Sequence, residues 1–312
     1  MKEQSRISVV VPVYNAAESL LELQAEISEC AKKNDFYIET VYVDDYSSDN
    51  SWQVLTELKK TYKETVKIIR LAMNSGQHNA ILCGFNQVSE DIDFVLTMDD
   101  DLQHPPSEIP KLIAKLKEGF DLVIGEYDSK KHLATRNLCS KMVSWLIRKN
   151  YNLPKDFQFT SFQGVKRDVL PEVVRMTGTF PFIVCMLLSN SGSYANVLVH
   201  HESRKHGESN YNMRRSLKLF LNLFFNYTSY PLWLVGAVCL TALIMTATLM
   251  AYVFSLWAFR GTAPGWASIM LLTSFLHSMA LSCIFIFAMY LSRINSQISH
   301  SKIKYRVAEF YE

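Results

Sequence analysis

The first hundred residues alternate between short β-branched runs and longer segments of helical period. Ile7–Val13 predicts a strand that ends at Pro12-Val13-Tyr14-Asn15, and Ala16–Lys32 predicts a helix with Leu20, Leu23 and Ile27 on one face. Thr40–Val43 predicts a second strand running into Asp44-Asp45, followed by an amphipathic helix over Ser51–Tyr62. Val66–Leu71 predicts a third, leading through Asn74-Ser75-Gly76 into a helix over Gln77–Val88. Phe94–Met98 predicts a fourth, which runs straight into Asp99-Asp100-Asp101. Strands separated by helix-length segments indicate βαβ units and a buried, mostly parallel sheet, hence an α/β fold. Ligands of such sheets lie beyond the carboxyl ends of the strands. The polar clusters Tyr14-Asn15, Asp44-Asp45, Asn74 and Asp99–Asp101 stand at those ends, which locates a candidate site before any motif is considered.

The later part of the chain changes character. No Asp, Glu, Lys or Arg occurs between Lys218 and Arg260, nor between Arg260 and Arg293. Pro231–Phe259 and Trp266–Leu291 each exceed the roughly 20 residues needed to cross about 30 Å of hydrocarbon. The intervening Arg260–Gly265 is a Gly/Pro turn, so the pair reads as a transmembrane hairpin. Arg204, Lys205, Arg214, Arg215 and Lys218 precede it, and Arg293, Lys302, Lys304 and Arg306 follow. That bias predicts a plasma (inner) membrane protein with two spans, its catalytic domain and both termini cytoplasmic. Over Arg214–Tyr227, Arg215, Lys218, Asn222 and Asn226 share one helical face and Leu217, Phe220, Leu221, Phe224 and Phe225 the other, the pattern of an interfacial helix. The expected organisation is a catalytic domain over 1–213, an interfacial helix over 214–230, two transmembrane helices over 231–292 and a cytoplasmic tail over 293–312.

A net charge of +2 with 20% charged residues argues against a nucleic-acid partner. Six scattered cysteines without a CxxC pair predict reduced thiols rather than a disulfide framework or zinc site. The apolar run of the N-terminus is too short for a signal peptide and leads directly into a strand.

Met98-Asp99-Asp100-Asp101-Leu102-Gln103-His104-Pro105-Pro106 carries the strongest chemical signal. Three adjacent carboxylates repel one another, and a divalent cation removes that cost. Mg²⁺ or Mn²⁺ takes hard oxygen ligands, typically one or two carboxylates plus substrate phosphates. On an extended backbone Asp99 and Asp101 point the same way and Asp100 elsewhere, while Gln103 offers an amide oxygen. The bound metal would neutralise a nucleotide diphosphate leaving group. Asp44 and Asp45 are placed to accept hydrogen bonds from a base or ribose. Ser47 and Asp49 read better as helix caps. Tyr14 and Asn15 stand where a base would lie, and Asn15 reads equally as an N-cap.

Val11–Asn15, Val43–Ser47, Asn74–Gln77 and Asp99–Pro106, in this order, resemble family 2 glycosyltransferases of the GT-A fold (Rossmann-like, mostly parallel sheet). Asp99-x-Asp101-Leu-Gln-His-Pro-Pro and His201–Tyr211 resemble the family's polyprenyl-phosphate branch, which includes dolichol-phosphate mannose synthases and undecaprenyl-phosphate glucosyltransferases. The resemblance implies that Asp99, Asp101 and Gln103 hold the metal. It sets Pro12, Tyr14, Asn15, Asp44, Asp45, Gln77, Asp99 and Asp100 around the nucleotide sugar. Arg136 and Ser140 match an Arg-x-x-x-Ser element that contacts the acceptor phosphate, and Arg204 and Ser209 match a later loop that closes over the phosphates; guanidinium groups suit that task. Asp99, Asp101 and Arg204 are then the catalytic set.

There are departures. Tyr46 stands where the family usually has Gly, Glu126–His132 lacks the Arg that commonly follows Gly125, and Gln163 stands where Arg or Lys is frequent. No Gln-x-x-Arg-Trp motif of processive synthases occurs, favouring one transfer per acceptor. The implied reaction is inverting transfer of a single sugar from a nucleotide diphosphate sugar, with UDP as the expected nucleotide, to undecaprenyl or another polyprenyl phosphate. A same-fold transferase with another lipid-linked acceptor, or a non-catalytic nucleotide-sugar-binding partner in a membrane complex, are the alternatives. Homo-oligomerisation through the tail is a further expectation.

Overall fold

A computed structural model describes residues 4–127, 138–176, 181–200, 220–225, 227–228, 230–260, 265–299 and 305–312. The chain divides into two units, Met1–Ser216 together with His300–Glu312, and Leu217–Ser299.

The first unit is built on one eight-stranded sheet in the order β7-β5-β6-β4-β1-β2-β3-β8. In chain order the strands are β1 (Arg6–Val13), β2 (Tyr37–Asp44), β3 (Val66–Leu71), β4 (Phe94–Thr97), β5 (Leu122–Glu126), β6 (Gln163–Lys166), β7 (Tyr194–Leu198) and β8 (Val307–Tyr311). β1 pairs in parallel with both β2 and β4, and β2 with β3, which is the βαβ arrangement expected from the alternating pattern. β6 runs antiparallel to β4 and β5, and β8 antiparallel to β3.

Both faces of the central strands are covered. β1 and β2 are buried at every residue but the first, so their sequences read as continuous apolar runs instead of alternating ones. Helix α1 (Leu20–Asn34) buries Leu20, Leu23, Gln24, Ile27 and Cys30 along one stripe. It carries Glu22 in its first turn and Lys32 and Lys33 in its last, complementing the helix dipole, and it ends where Asp35 turns left-handed at φ 53°. Helix α2 (Ser51–Thr61) turns Trp52, Leu55 and Leu58 inward. Helix α3 (Gln77–Phe85) lies so close to β1 that a Cβ on Gly84 would stand 2.3 Å from Val10 Cγ1. Only glycine permits that approach. Helices α4 (Ile109–Lys117), α5 (Leu138–Asn150), α6 (Leu170–Arg175) and α7 (Ile183–Asn190) complete the unit.

The strand β8 differs from the sequence expectation, which left 293–312 as a tail. Residues 307–311 instead extend the sheet of the first unit beside β3. A five-residue strand with an antiparallel partner more than two hundred residues upstream leaves no periodic signal strong enough to read.

The second unit holds helices α8 (Tyr230–Arg260) and α9 (Trp266–Ser299), which pack against each other, and residues 220–225 are helical. Tyr290 Oη donates to the Thr228 carbonyl at 3.4 Å, and the Arg293 guanidinium lies 4.7 Å from the centre of the Phe225 ring. The helices run for 31 and 34 residues, yet among the described residues no helix is both long and apolar enough to cross a membrane. The expected crossing is therefore not something the fold establishes. Cys30, Cys83, Cys185 and Cys283 are buried free thiols.

Candidate active site

The carboxyl ends of β1, β2, β3 and β4 are tied together by side chains reaching from one strand end to the next. Asp100 Oδ2 accepts the Tyr14 N–H at 3.2 Å, and the Asp100 carbonyl accepts the Ser19 hydroxyl at 2.5 Å, which fixes the end of β4 to the end of β1. Asn15 N–H donates to Ser47 Oγ at 3.0 Å, while Asn15 Oδ1 accepts the Ser48 N–H at 2.9 Å. Asn15 thus clasps the loop after β2; the N-cap position of α1 is Ser19, whose hydroxyl donates to the Ala16 and Asp100 carbonyls and makes no capping bond. Asp49 Oδ1 accepts the N–H of Ser51 at 3.0 Å, but the N-cap position of α2 is Asn50, so neither Ser47 nor Asp49 is the helix cap expected from the sequence.

Asp45 is 3% exposed and accepts two main-chain N–H groups, Ser75 at 2.6 Å and Gly76 at 2.8 Å. It holds the loop after β3 in place. Asp44 is fully buried; its Oδ1 accepts the Ser47 N–H at 3.1 Å, and Oδ2 lies 3.4 Å from Arg70 Nε. The Arg70 contact has ion-pair distance but not hydrogen-bond geometry, since neither atom makes a hydrogen bond among the described residues. Burial raises the pKa of both carboxyls. For Asp44 the Ser47 hydrogen bonds and Arg70 oppose the shift, and for Asp45 the two loop N–H groups do.

Asp99 is held at both of its carboxylate oxygens. Its Oδ1 accepts the Gln77 side-chain amide at 2.7 Å and its Oδ2 accepts the Ser161 hydroxyl. Ser161 Oγ lies 3.3 Å from His104 Nε2, and His104, only 4% exposed, is stacked between Tyr127 and Phe162 with ring centroids 5.5 and 5.4 Å away. Asp101 Oδ1 accepts the Gln103 N–H at 3.1 Å. β4 ends at Thr97 and the chain turns at Asp100 and Asp101, with Leu102 left-handed at φ 59°. The directions of the three carboxylates are accordingly set by that turn and its hydrogen bonds, not by the strand alternation expected from the sequence. Asp100 is pushed up to about 7, first by burial and then by repulsion from Asp99 and Asp101.

Among the described residues no group of three or more His, Cys, Asp or Glu side chains forms a ready metal cage. Mg²⁺ and Mn²⁺ do not require one, because one or two carboxylates plus substrate phosphates complete their shell. The partly exposed pair Asp99 and Asp101 at the end of β4 has the right donor chemistry. Gln103 is next to them in the same turn, its backbone already engaged with Asp101.

The structure thus brings together Tyr14, Asn15, Asp44, Asp45, Gln77, Asp99, Asp100, Asp101 and Gln103. Pro12 is buried inside β1 opposite Val43. Arg136, Arg204 and Ser209 lie outside the described residues, and Ser140 falls in α5 with only its backbone described. Sequence reasoning missed Ser161, His104 as its neighbour, and Ser19. Ser161 stands 62 positions from Asp99, and nothing in the spacing joins them.

The fold is α/β, and its polar cluster stands at the carboxyl ends of the parallel strands, where ligands of such sheets bind. The model of glycosyl transferase family 2 matches residues 8–173, more than half of the chain. The chain is 32% identical over 232 residues to the undecaprenyl-phosphate 4-deoxy-4-formamido-L-arabinose transferase of Pseudomonas fluorescens (strain SBW25), covering 74% of this chain and 67% of that protein. It is 33% identical over 249 residues to the protein of the same name from Proteus mirabilis (strain HI4320), covering 79% and 76%. Glucosyl-3-phosphoglycerate synthase from Mycobacterium tuberculosis, solved with Mn²⁺ and uridine-diphosphate-glucose, shares the fold with a TM-score of 0.52 at 15% identity, over 72% of this chain and 78% of that one. The chain belongs to glycosyl transferase family 2, and it is a glycosyltransferase.

Proposed function

We propose that this glycosyltransferase moves one sugar from a nucleotide diphosphate sugar, with UDP as the expected nucleotide, to a polyprenyl phosphate such as undecaprenyl phosphate, with inversion at the anomeric carbon. The observation that carries the reading is the linked cluster of Asp99, Asp100, Gln77 and Tyr14 at the strand ends, in a chain 32–33% identical to two undecaprenyl-phosphate sugar transferases.

A phosphate oxygen of the lipid attacks the anomeric carbon, the bond from that carbon to the donor's β-phosphate oxygen breaks, and the nucleoside diphosphate leaves. The lipid phosphate has a second pKa of about 6 and is largely ionised at neutral pH, so no dedicated base is required. Asp99 and Asp101 are the residues that would hold Mg²⁺ or Mn²⁺, with Gln103 beside them. When bound, the metal supplies charge neutralisation for the leaving diphosphate. Gln77 and Ser161 orient Asp99, Asp100 locks the end of β4 to β1, and Tyr14 and Asn15 border the space for the nucleoside. Arg136, Ser140, Arg204 and Ser209 are proposed for the phosphates by resemblance. Positioning and charge account for most of the catalysis in this scheme.

Location at the plasma membrane, with α8 and α9 as two spans and both termini cytoplasmic, belongs to the same reading. It is supported by their uncharged stretches and by connectivity, because both ends of the helical unit lead back to the first unit. A segment that leaves and rejoins one unit crosses a bilayer an even number of times if it crosses at all. Self-association through these helices is part of the proposal.

The test incubates purified protein in detergent with undecaprenyl phosphate, Mg²⁺ or Mn²⁺ and a panel of nucleotide sugars. Nucleotide diphosphate release and the lipid product are followed by mass spectrometry. A metal-dependent monoglycosyl lipid phosphate is expected; full activity in both Asp99→Ala and Asp101→Ala would overturn the reading.

A further inference from the structure

Three charged side chains stand side by side across β2, β3 and β8. Asp44 is in register with Arg70, and Arg70 with Glu309. Arg70 Nε lies 3.4 Å from the buried carboxylate of Asp44, and Arg70 Nη1 lies 3.6 Å from Glu309 Oε1. The guanidinium also stands 5.5 Å from the centre of the Trp52 ring, a cation–π distance. One cation is therefore shared between a carboxylate with no solvent access and one that is 40% exposed.

That arrangement matters because Asp44 is poorly served otherwise. Its Oδ2 makes no hydrogen bond among the described residues, so Arg70 is the charge that offsets it. A buried carboxylate is costly unless a cation is held beside it. Arg70 lacks a hydrogen bond at Nε, so its place against Asp44 is set by what surrounds it: Trp52 in α2 and Glu309 in β8.

β8 is fastened well enough to act as such a wall. Its ladder with β3 joins Ile68 to Tyr311 and Ile69 to Phe310, and the Ala72 N–H donates to the Arg306 carbonyl at 2.7 Å. Asn86 Nδ2 donates to Tyr305 Oη at 2.6 Å, and Glu312 pairs with Lys67 at 3.3 Å. The Tyr311 ring lies 6.1 Å from Trp52, the same ring that Arg70 covers.

We propose that β8 is a working part of the nucleotide end of the site, with Glu309 as a positioning residue that holds Arg70 over Trp52 and against the buried Asp44, which anchors Ser47 and through it Asn15 beside the nucleoside diphosphate. The inference rests on the reading of Tyr14 and Asn15 as the border of the nucleoside space. It gives the segment that follows the two long helices a role in donor binding.

The experiment titrates UDP, in the presence of Mn²⁺, into the full chain in detergent by calorimetry, with GDP and ADP in parallel and the thermal midpoint recorded for every variant. Because the Arg70–Glu309 contact is partly exposed, neutralisation acts modestly and charge reversal more strongly. Glu309→Gln is expected to weaken nucleotide binding about 3-fold and Glu309→Lys about 10-fold. Glu312→Lys, on the same segment but paired with Lys67, is expected to stay within about 2-fold. In an Arg70→Gln background the effect of Glu309→Gln should vanish, a coupling that an effect of Glu309 bypassing Arg70 would not produce. In turnover the change should fall on donor KM, not kcat. Wild-type affinity in both Glu309 variants overturns the proposal while leaving the functional reading intact. Equal losses in Glu309→Lys and Glu312→Lys also overturn it, because docking of the strand, and not Glu309, would then be what matters. Absence of binding of any of the three nucleotides to the wild type overturns the donor reading itself and this inference with it.

Discussion

The side-chain amide of Gln77 donates to Asp99 Oδ1 at 2.7 Å, joining the first residue of α3 to a carboxylate two positions beyond β4. A hydrogen bond to a charged acceptor is worth about 1.5–3 kcal/mol. If it holds Asp99 in its working direction, Gln77→Ala should lower the rate of sugar transfer roughly 10- to 100-fold. Gln77→Glu should cost more, since it sets a second negative charge against Asp99. Initial rates at saturating Mn²⁺, with thermal midpoints to confirm folding, decide the matter. An undiminished rate in Gln77→Ala would show that Ser161 alone orients the carboxylate.

Asp45 makes a different kind of prediction, one about stability. Its carboxylate takes the N–H groups of Ser75 and Gly76, and Gly76 itself sits at φ 88°, where a side chain is strained. Asp45→Ala leaves two donors without their acceptor and should destabilise the first unit by on the order of 3 kcal/mol. Asp45→Asn keeps one acceptor oxygen and should lose about half as much. Gly76→Ala meets no neighbouring atom, so its expected loss of about 1 kcal/mol comes from backbone conformation alone. Denaturant unfolding of the three variants would rank them; equality of Asp45→Ala with wild type would remove the clasp.

The four parallel strands and the location of the site were legible because a doubly covered sheet writes itself as unbroken β-branched runs with polar residues at their ends. Tyr14, Asp44 and Asp99 could be placed on that basis alone. What could not be read is which polar residues serve the ligand and which serve one another. Asp44 and Asp45 look alike in sequence, yet one faces Arg70 and the other is bound to a main-chain loop. Ser161 and Glu309 were invisible because their partners, Asp99 and Arg70, are distant in sequence and meet only through strand pairing. The turn at Asp100–Asp101 escaped for a local reason, since nothing in three consecutive aspartates announces that Leu102 will adopt a left-handed conformation.

Asp121 supplies a pH dependence with a definite sign. Burial raises its pKa, but the Lys166 ammonium at 2.8 Å and the N–H groups of Gly192 and Ser193 outweigh that, so the folded value lies below the ordinary aspartate range. A carboxyl with a lowered folded pKa contributes stability that is fully present above its unfolded value, about 3.9, and is lost as pH falls through the folded value. The thermal midpoint of the wild type should therefore fall as pH drops below about 4. Asp121→Asn should start lower at neutral pH and show a shallower fall in that window. Parallel curves for the two proteins would show that the acid response arises elsewhere. The group is partly exposed, so moderate salt should reduce the difference.

Tyr46 is held at φ 62°, in the left-handed region, with its ring 53% exposed beside the buried pair Asp44 and Asp45. A non-glycine residue there carries about 1 kcal/mol or more of strain. The conformation persists because its neighbours are pinned on both sides: Asp45 is bound to Ser75 and Gly76, and Ser47 both donates its N–H to Asp44 and accepts the N–H of Asn15. Tyr46→Gly releases the strain but frees the unfolded chain by about 0.5–1 kcal/mol, so it should be neutral to slightly stabilising. Tyr46→Val, β-branched and least tolerant of positive φ, should lose about 1 kcal/mol or more. The order glycine, tyrosine, valine in unfolding free energy is the expected result, and valine equal to or above tyrosine would mean the backbone there is not left-handed. With the ring itself partnerless among the described residues, any loss of donor affinity in Tyr46→Gly, set against its unchanged or higher stability, would assign the ring to the ligand and not to the fold.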